Sequence, residues 1–367
     1  MKNIWGKINR QQGRKLQLTL VFSAFGLLIF LAGVTALPFK DRLLTSLYPK
    51  PISEAAPPIP MKIGFNTTGI THYGYTEALP YAPASHIEAD LTEIKRMGGT
   101  IVRVAAANKY ISAEESARRL DIFLTTAESY SISAIVFFAG LIKDDTGLYP
   151  QNIESYYTNN WNGMFFLNHD FFAEGYKTTY LPYLQSIISF NKHHPNIYAW
   201  EIGNEFKDDT SPSTLINFMA DVSSQIKAAD PNHPVSSGMI NAAHAGLTPQ
   251  KLYASLPNLD IVTVHAYNGD RAGSADITWA VKNRKKAIIE EAGFAGSSDR
   301  SALIRTEIDY WKSLGASAFI QWGFMAKGLN DNGNGDKSLG MDSIWHTDYD
   351  PLASVYQNFS NLRPKIK

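Results

Sequence analysis

Two stretches of the chain run through apolar residues and stop on carboxylates. Ile197-Tyr198-Ala199-Trp200-Glu201-Ile202-Gly203 leads into Asn204-Glu205, and Ala287-Ile288-Ile289 leads into Glu290-Glu291-Ala292-Gly293. A single carboxylate after a strand is commonly a helix cap or a surface acid. Two of them, delivered to one place by different strands, can divide the work of breaking a glycosidic bond, one as a protonated acid/base and the other as an ionised nucleophile. Unequal surroundings must then hold their pKa values apart. The chain has no cysteine, so thiolate chemistry, Cys-ligated zinc and iron–sulfur clusters are excluded. With 34 basic against 34 acidic residues it lacks the positive footprint of a nucleic-acid binder.

The elements that must position these groups follow from Met61 onward. Short apolar runs alternate with amphipathic segments, the pattern of parallel strands joined by helical crossovers. Eight strands are expected, at Lys62–Asn66, Thr100–Ala105, Ser133–Ala139, Ile197–Gly203, Val235–Met239, Ile261–Ala266, Ala287–Glu291 and Ala318–Trp322. Eight is the number that closes a (β/α)8 TIM barrel, whose active site lies at the C-terminal strand ends. Ser85-His86-Ile87-Glu88 and Ser112-Ala113-Glu114-Glu115 fit capping boxes, and Gly98-Gly99 ends the first of the two helices. A third helix pattern, amphipathic from Ala302 to Leu314, precedes the last strand. A doubly wound open sheet is the alternative, disfavoured because no Gly-x-Gly-x-x-Gly turn follows the first strand.

Before the barrel the composition changes. Residues 1–15 carry Lys2, Lys7, Arg10, Arg14 and Lys15 without an acid, and Leu16 to Leu37 holds no charge. The apolar stretch is long enough to span a bilayer, with the basic flank cytoplasmic. It is expected to be a membrane anchor (residues 16–37) or a signal peptide cut after Val34-Thr35-Ala36. Either places the remainder outside the cytoplasm. Residues 38–60, with Pro38, Pro49, Pro51, Pro57, Pro58 and Pro60, read as a spacer, and 61–367 as the catalytic domain.

Trp200 to Glu205, His265-Ala266-Tyr267 and Glu290-Glu291-Ala292-Gly293 resemble the strand-four, strand-six and strand-seven motifs of clan A retaining β-glycosidases, glycoside hydrolase family 5 above all. Arg103 after Ile101-Val102 and Trp322 in Phe319-Ile320-Gln321-Trp322-Gly323 match that clan's strand-two arginine and strand-eight tryptophan. Asn159-Asn160-Trp161 through Glu205 is similar to the endo-β-1,4-mannanase branch. The resemblance implies Glu205 as acid/base and Glu291 as nucleophile, chosen over Glu290 on family register. Strand alternation is expected to let only one of that pair face the mouth. It further implies that Arg103 keeps Glu291 ionised, the alternative being an arginine paired with Glu201 inside the barrel. Asn204 would bind the sugar 2-hydroxyl, His265 and Tyr267 would orient the carboxylates, and Trp322 would floor the reacting sugar. Two departures stand out: Ala292 replaces an aromatic, and Phe138-Ala139-Gly140 lacks the histidine of cellulase-like members, which tilts the substrate towards mannan.

Between Leu141 and Phe165 a long loop carries Tyr149, Tyr156, Tyr157 and Trp161 as candidate sugar subsites; a lid packing its own aromatics is the other reading. Asn66 and Thr67 end the first strand without an assignable role. Asn330 to Asp336 spaces oxygens like a calcium loop but has Met341 where the bidentate Glu belongs, and His193-His194 shows no ligand partner at metal spacing. No metal and no cofactor is therefore expected. The expected activity is retaining hydrolysis of a β-linked polysaccharide, β-mannan first. A β-1,4-glucanase, an exo-glycosidase, a transglycosylase and a catalytically silent, membrane-tethered glycan-binding protein are the alternatives.

Overall fold

The computed structural model describes residues 61–67, 84–143, 147–294, 299–322, 324 and 349–360. The expected anchor or signal segment, the spacer and the candidate calcium loop lie outside the described residues. Eight parallel strands close a barrel: β1 (Lys62–Asn66), β2 (Ile101–Ala105), β3 (Ser133–Phe137), β6 (Ile197–Glu201), β7 (Val235–Ser236), β8 (Ile261–Tyr267), β9 (Lys286–Gly293) and β10 (Ala318–Gln321). β10 pairs with β1 in parallel, Lys62 opposite Ala318, which closes the ring. The eight strands are those expected from the sequence, five of them shortened by one to three residues at their ends, β7 the most, and β8 and β9 slightly longer. β7 stops at Ser236 because Gly238 turns the backbone into the left-handed region, φ +65°.

Helices cover the barrel: α1 (Ala84–Arg96), α2 (Ala113–Ser129), α3 (Tyr176–Asn191), α4 (Pro212–Ala229), the short α5 (Pro249–Tyr253), α6 (Ser274–Lys282), α7 (Arg300–Ser313) and α8 (Tyr349–Ser360). Ser112 caps α2 as its sequence suggests, its Oγ accepting from the Glu115 N–H at 3.2 Å. α1 instead begins at Ala84, so Ser85 falls within its first turn and not at the cap. Gly98 ends α1 at φ +90°, and the Gly99 N–H donates back to the Ile94 carbonyl at 2.8 Å, closing the last turn.

The long loop after β3 is not structureless. It folds into an antiparallel hairpin of β4 (Tyr157–Trp161) and β5 (Met164–Leu167), joined by Asn162 (φ +51°) and Gly163 (φ +87°). Asn-Gly flanked by strand residues is the usual signal of a tight hairpin, because both turn residues need positive φ.

Inside the barrel, Ile101, Ile135, Ala199, Ile261, Ile288, Ala318 and Ile320 pack as a fully buried apolar layer. Alternation along a strand returns a side chain to the same face every second residue. One step up from that layer, therefore, β2 presents Arg103, β6 presents Glu201 and β9 presents Glu290 to the barrel interior. The fold delivers charge to the mouth by the same periodicity that builds its floor.

Candidate active site

Arg103 is the hub. It is fully buried, and all five of its N–H groups are spent. Nε and Nη2 donate to the two Glu201 oxygens, each at 2.7 Å. Nη1 donates to Glu291 Oε1 at 2.6 Å and to Asn66 Oδ1 at 3.1 Å, and Nη2 also reaches Asn204 Oδ1 at 2.7 Å. The guanidinium plane lies over the Phe137 ring at 4.4 Å. Both sequence readings of Arg103 therefore hold together: it is paired with Glu201 within the barrel and with Glu291 at the mouth. Asn66, which had no assignable role, braces this arrangement; its Nδ2 donates to the Glu290 carbonyl at 2.9 Å. Thr67 Oγ1 donates to the Arg103 carbonyl at 3.2 Å.

Glu291 accepts on its second oxygen from the Tyr267 hydroxyl at 2.7 Å. Glu205 stands opposite, its Oε1 2.7 Å from His265 Nδ1. One oxygen of Glu205, one of Glu291 and a nitrogen of His265 all lie within 4.8 Å of one another. Arg103, Asn204, Glu205, His265, Tyr267 and Glu291 thus meet in one cluster. Asn204 spends its oxygen on Arg103, which leaves its amide N–H groups to donate elsewhere. Trp322, half-buried after β10, is held by its backbone N–H on the Ala292 carbonyl at 2.8 Å. Trp161 sits at the hairpin end, 55% exposed. Neither indole donates a hydrogen bond to Glu205 or Glu291 among the described residues. Tyr149 and Tyr157 are buried and pack on each other at 4.9 Å, so they serve the lid and not a sugar surface.

The backbone that presents these groups is irregular. Glu205 has φ +61°, a left-handed conformation that costs a non-glycine residue about 1–3 kcal/mol and is held here by its own N–H on the Gly238 carbonyl at 2.7 Å. A Cβ on Gly238 would meet the Gly203 carbonyl oxygen and Glu201 Oε1 at 2.5 Å or closer, so only glycine permits this approach.

The expectation that only one of Glu290 and Glu291 faces inward is overturned. On one side Val264 pairs with Ile289 and His265 with Glu291; on the other, Phe319 pairs with Ile289 and Gln321 with Ala292. β9 thus carries an extra residue against both neighbours, a β-bulge at Glu290–Glu291. The bulge suspends alternation, and both carboxylates turn to the interior. Glu290 Oε2 lies 3.8 Å from Arg103 Nε and 3.6 Å from His265 Nε2.

Charge in this cluster is unevenly held. Burial opposes a proton's charge on His265, but Glu291, Glu205 and Glu290 around it outweigh that and push its pKa up to about 10. Burial alone would raise Glu205; the bond from the His265 imidazolium wins and holds that carboxyl below the ordinary range. Glu291 is pushed up by burial, against the pull of His265 and Arg103. Donors occupy both Glu291 oxygens, and an arginine N–H cannot accept a proton, so the hydrogen bonding favours the carboxylate form.

A second titratable cluster corrects the reading of His193-His194. α2 brings Asp121 to them, its Oδ1 2.7 Å from His194 Nε2 and 3.6 Å from His193 Nε2. The shorter distance is that of a hydrogen bond. The partner was invisible in sequence because it comes from another helix.

No protein-family model matches the chain. Among curated relatives, it is 26% identical over 242 residues to a probable mannan endo-1,4-beta-mannosidase F of Aspergillus flavus, covering 58% of this chain and 48% of that protein. It is 24% identical over 265 residues to a probable mannan endo-1,4-beta-mannosidase A-1 of Aspergillus terreus, covering 65% and 66%. The chain resembles the family 5 mannanases. It spans about half the length of the first of these mannanase relatives. Among solved structures, the endo-beta-1,4-mannanase from Thermotoga petrophila superposes with a TM-score of 0.65 at 21% identity, covering 83% of this chain and 77% of that one. At that identity the mannanase structure speaks for the barrel alone.

Proposed function

We propose that this chain is a retaining β-glycosidase that cuts β-1,4-mannan internally, with Glu205 as acid/base and Glu291 as nucleophile. The observation that carries the reading is the separation of the two carboxylates, an oxygen of one within 4.8 Å of an oxygen of the other. Retaining pairs sit about 5–5.5 Å apart, whereas an inverting pair needs about 6.5–9.5 Å to admit a water between carboxylate and sugar. In the first half-reaction Glu291 attacks the anomeric carbon while Glu205 protonates the departing oxygen. In the second, Glu205 takes a proton from water, whose oxygen displaces Glu291. Arg103 and Tyr267 keep Glu291 in the carboxylate form and aim it, and the free amide of Asn204 suits the sugar 2-hydroxyl. Trp322 offers an apolar face to the reacting ring, and the exposed Trp161 extends the cleft along a polymer.

Mannan is preferred over glucan on the names of the relatives and on the missing histidine after β3. Secretion or anchoring through residues 16–37, ahead of a spacer at 38–60 and the catalytic domain at 61–367, rests on the sequence alone. The described residues include no helix long and apolar enough to cross a membrane.

The test is reducing-sugar release by the full chain on galactomannan, glucomannan and carboxymethylcellulose. Selective activity on the two mannans is expected, and Glu205→Gln and Glu291→Gln should each lower it by about 10³-fold. Undiminished rates in both variants would sink the assignment; activity on carboxymethylcellulose alone would move the substrate to β-glucan.

A further inference from the structure

Glu290 is a buried carboxylate for which the proposed reaction has no use. Its side chain is wholly buried on the β9 bulge, and neither oxygen has a hydrogen-bond partner among the described residues. Such a group is costly to keep unless a charge or a donor answers it. Two cations face it. Arg103 Nε is 3.8 Å away, but that N–H is already committed to Glu201. His265 Nε2 is 3.6 Å away, and it is itself a buried atom without a partner. Two unpartnered polar atoms therefore face each other, a few tenths of an ångström beyond hydrogen-bond length.

We infer that Glu290 is a positioning residue for the acid/base, acting through His265: it fixes the Nε2–H so that the mobile imidazole proton is the one on Nδ1, shared with Glu205. This rests on the hydrolytic reading above. The three groups form a chain, Glu290 against Nε2 at 3.6 Å and Nδ1 against Glu205 at 2.7 Å. An acid/base bonded to an imidazolium has no proton of its own to give, and the nearest one is on His265 Nδ1. As the glycosidic bond breaks, Nδ1–H is lost and a Glu205 O–H forms, whose proton passes to the departing oxygen. The neutral imidazole keeps its Nε2–H, held by Glu290. When water attacks the glycosyl-enzyme, its proton goes to Glu205 and back to Nδ1, so His265 ends the turnover as it began. Without Glu290, either nitrogen could release a proton, and only Nδ1 faces the acid/base.

The groups around His265 on every side are accounted for. Glu201 and Glu205 come from β6 and the turn after it, His244 from the segment after β7, Glu290 and Glu291 from β9, and Arg103 from β2. Of the carboxylates that pair with His265, Glu290 approaches Nε2, whereas Glu205 and Glu291 approach Nδ1, at 2.7 Å and 3.4 Å.

Glu290→Gln removes the charge at constant shape, and Glu290→Asp keeps the charge. In the full chain, Glu290→Gln should lower kcat on glucomannan about 10-fold with little change in KM. It should also move the alkaline limb of kcat/KM to lower pH by about one unit, because removing an anion makes the Glu205–His265 proton easier to lose. Glu290→Asp should restore the limb. Nitrogen-15 NMR of labelled histidines reads the same contact without turnover: His265 should carry protons on both nitrogens at neutral pH and lose one at lower pH in Glu290→Gln. An unmoved limb and an unchanged His265 titration would overturn the inference, as would a neutral His265 in the wild-type chain at pH 7, a result that needs no variant to fold. If the wild-type chain cleaves no glycan, the hydrolytic reading falls, and the NMR titration still decides whether Glu290 holds the Nε2 proton.

Discussion

The two ends of one barrel follow opposite rules. At the floor, Ile101, Ile135, Ala199, Ile261, Ile288, Ala318 and Ile320 fill the interior with apolar volume. Two residues further along the same strands, Arg103, Glu201 and Glu290 fill it with charge, every one buried. Floor packing is set by volume and tolerates modest change. The mouth is set by pairing, since each buried ion depends on a counter-ion. Its geometry also uses a bulge on β9, a left-handed Glu205 and a glycine at 238; at the floor the pairing is irregular as well, β6 carrying one extra residue against β3 where Ile135 meets Ala199. The contrast teaches that alternation carries Arg103, Glu201 and Glu290 inward as it carries the floor residues, and that the β9 bulge is what adds Glu291 beside Glu290.

Arg103→Leu should break that contrast most severely. It leaves Glu201, Glu290 and Glu291 buried without their cation, and removing one partner of a buried pair costs about 3–5 kcal/mol. Urea unfolding should register that loss together with abolished turnover. A variant as stable as wild type would mean that the carboxylates had taken up protons and that the ion network is dispensable. Ile288→Val, on the same ring but at the floor, should cost about 1 kcal/mol for one buried methylene and leave kcat/KM within about twofold. A fall in activity at constant KM would show that floor packing sets the mouth geometry.

The same contrast explains how much was legible beforehand. The eight strands could be read because period-two burial and apolar runs are local signals, and the barrel followed from their number. Glu205 and Glu291 could be read because each closes an apolar run, and Arg103, Asn204, His265 and Tyr267 because their motifs resemble those of the clan A glycosidases. The bulge could not: Glu290-Glu291 looks like any two adjacent strand residues, and its inward pair is created by register shifts against β8 and β10 that involve residues far away in the chain. Asn66 and Asp121 were hidden for the same reason, their partners being Arg103 and His194. The hairpin was different, since Asn162-Gly163 between Trp161 and Met164 carried a local signal that the length of the loop obscured.

The smallest expected effect is on the pH dependence of stability, and it separates the two ends most cleanly. His265 has its pKa pushed up to about 10 in the folded chain against 6.5 for a free imidazole. A group with a raised folded-state pKa binds its proton more tightly when folded, so its contribution is complete below pH 6.5 and is lost as pH climbs towards 10. The urea midpoint should therefore decline across that window. In His265→Gln the decline should flatten, because the titrating group is gone, while the midpoint below pH 6.5 drops for want of a cation beside Glu205 and Glu291. In Ile288→Val the whole curve should shift down in parallel, since no ionisable group at the mouth has changed. Equal slopes in wild type and His265→Gln would mean that the imidazole is neutral in the fold and that Arg103 alone balances the carboxylates. A changed slope in Ile288→Val would mean that the two ends are coupled through β9, where a single residue, Ile289, separates Ile288 from Glu290.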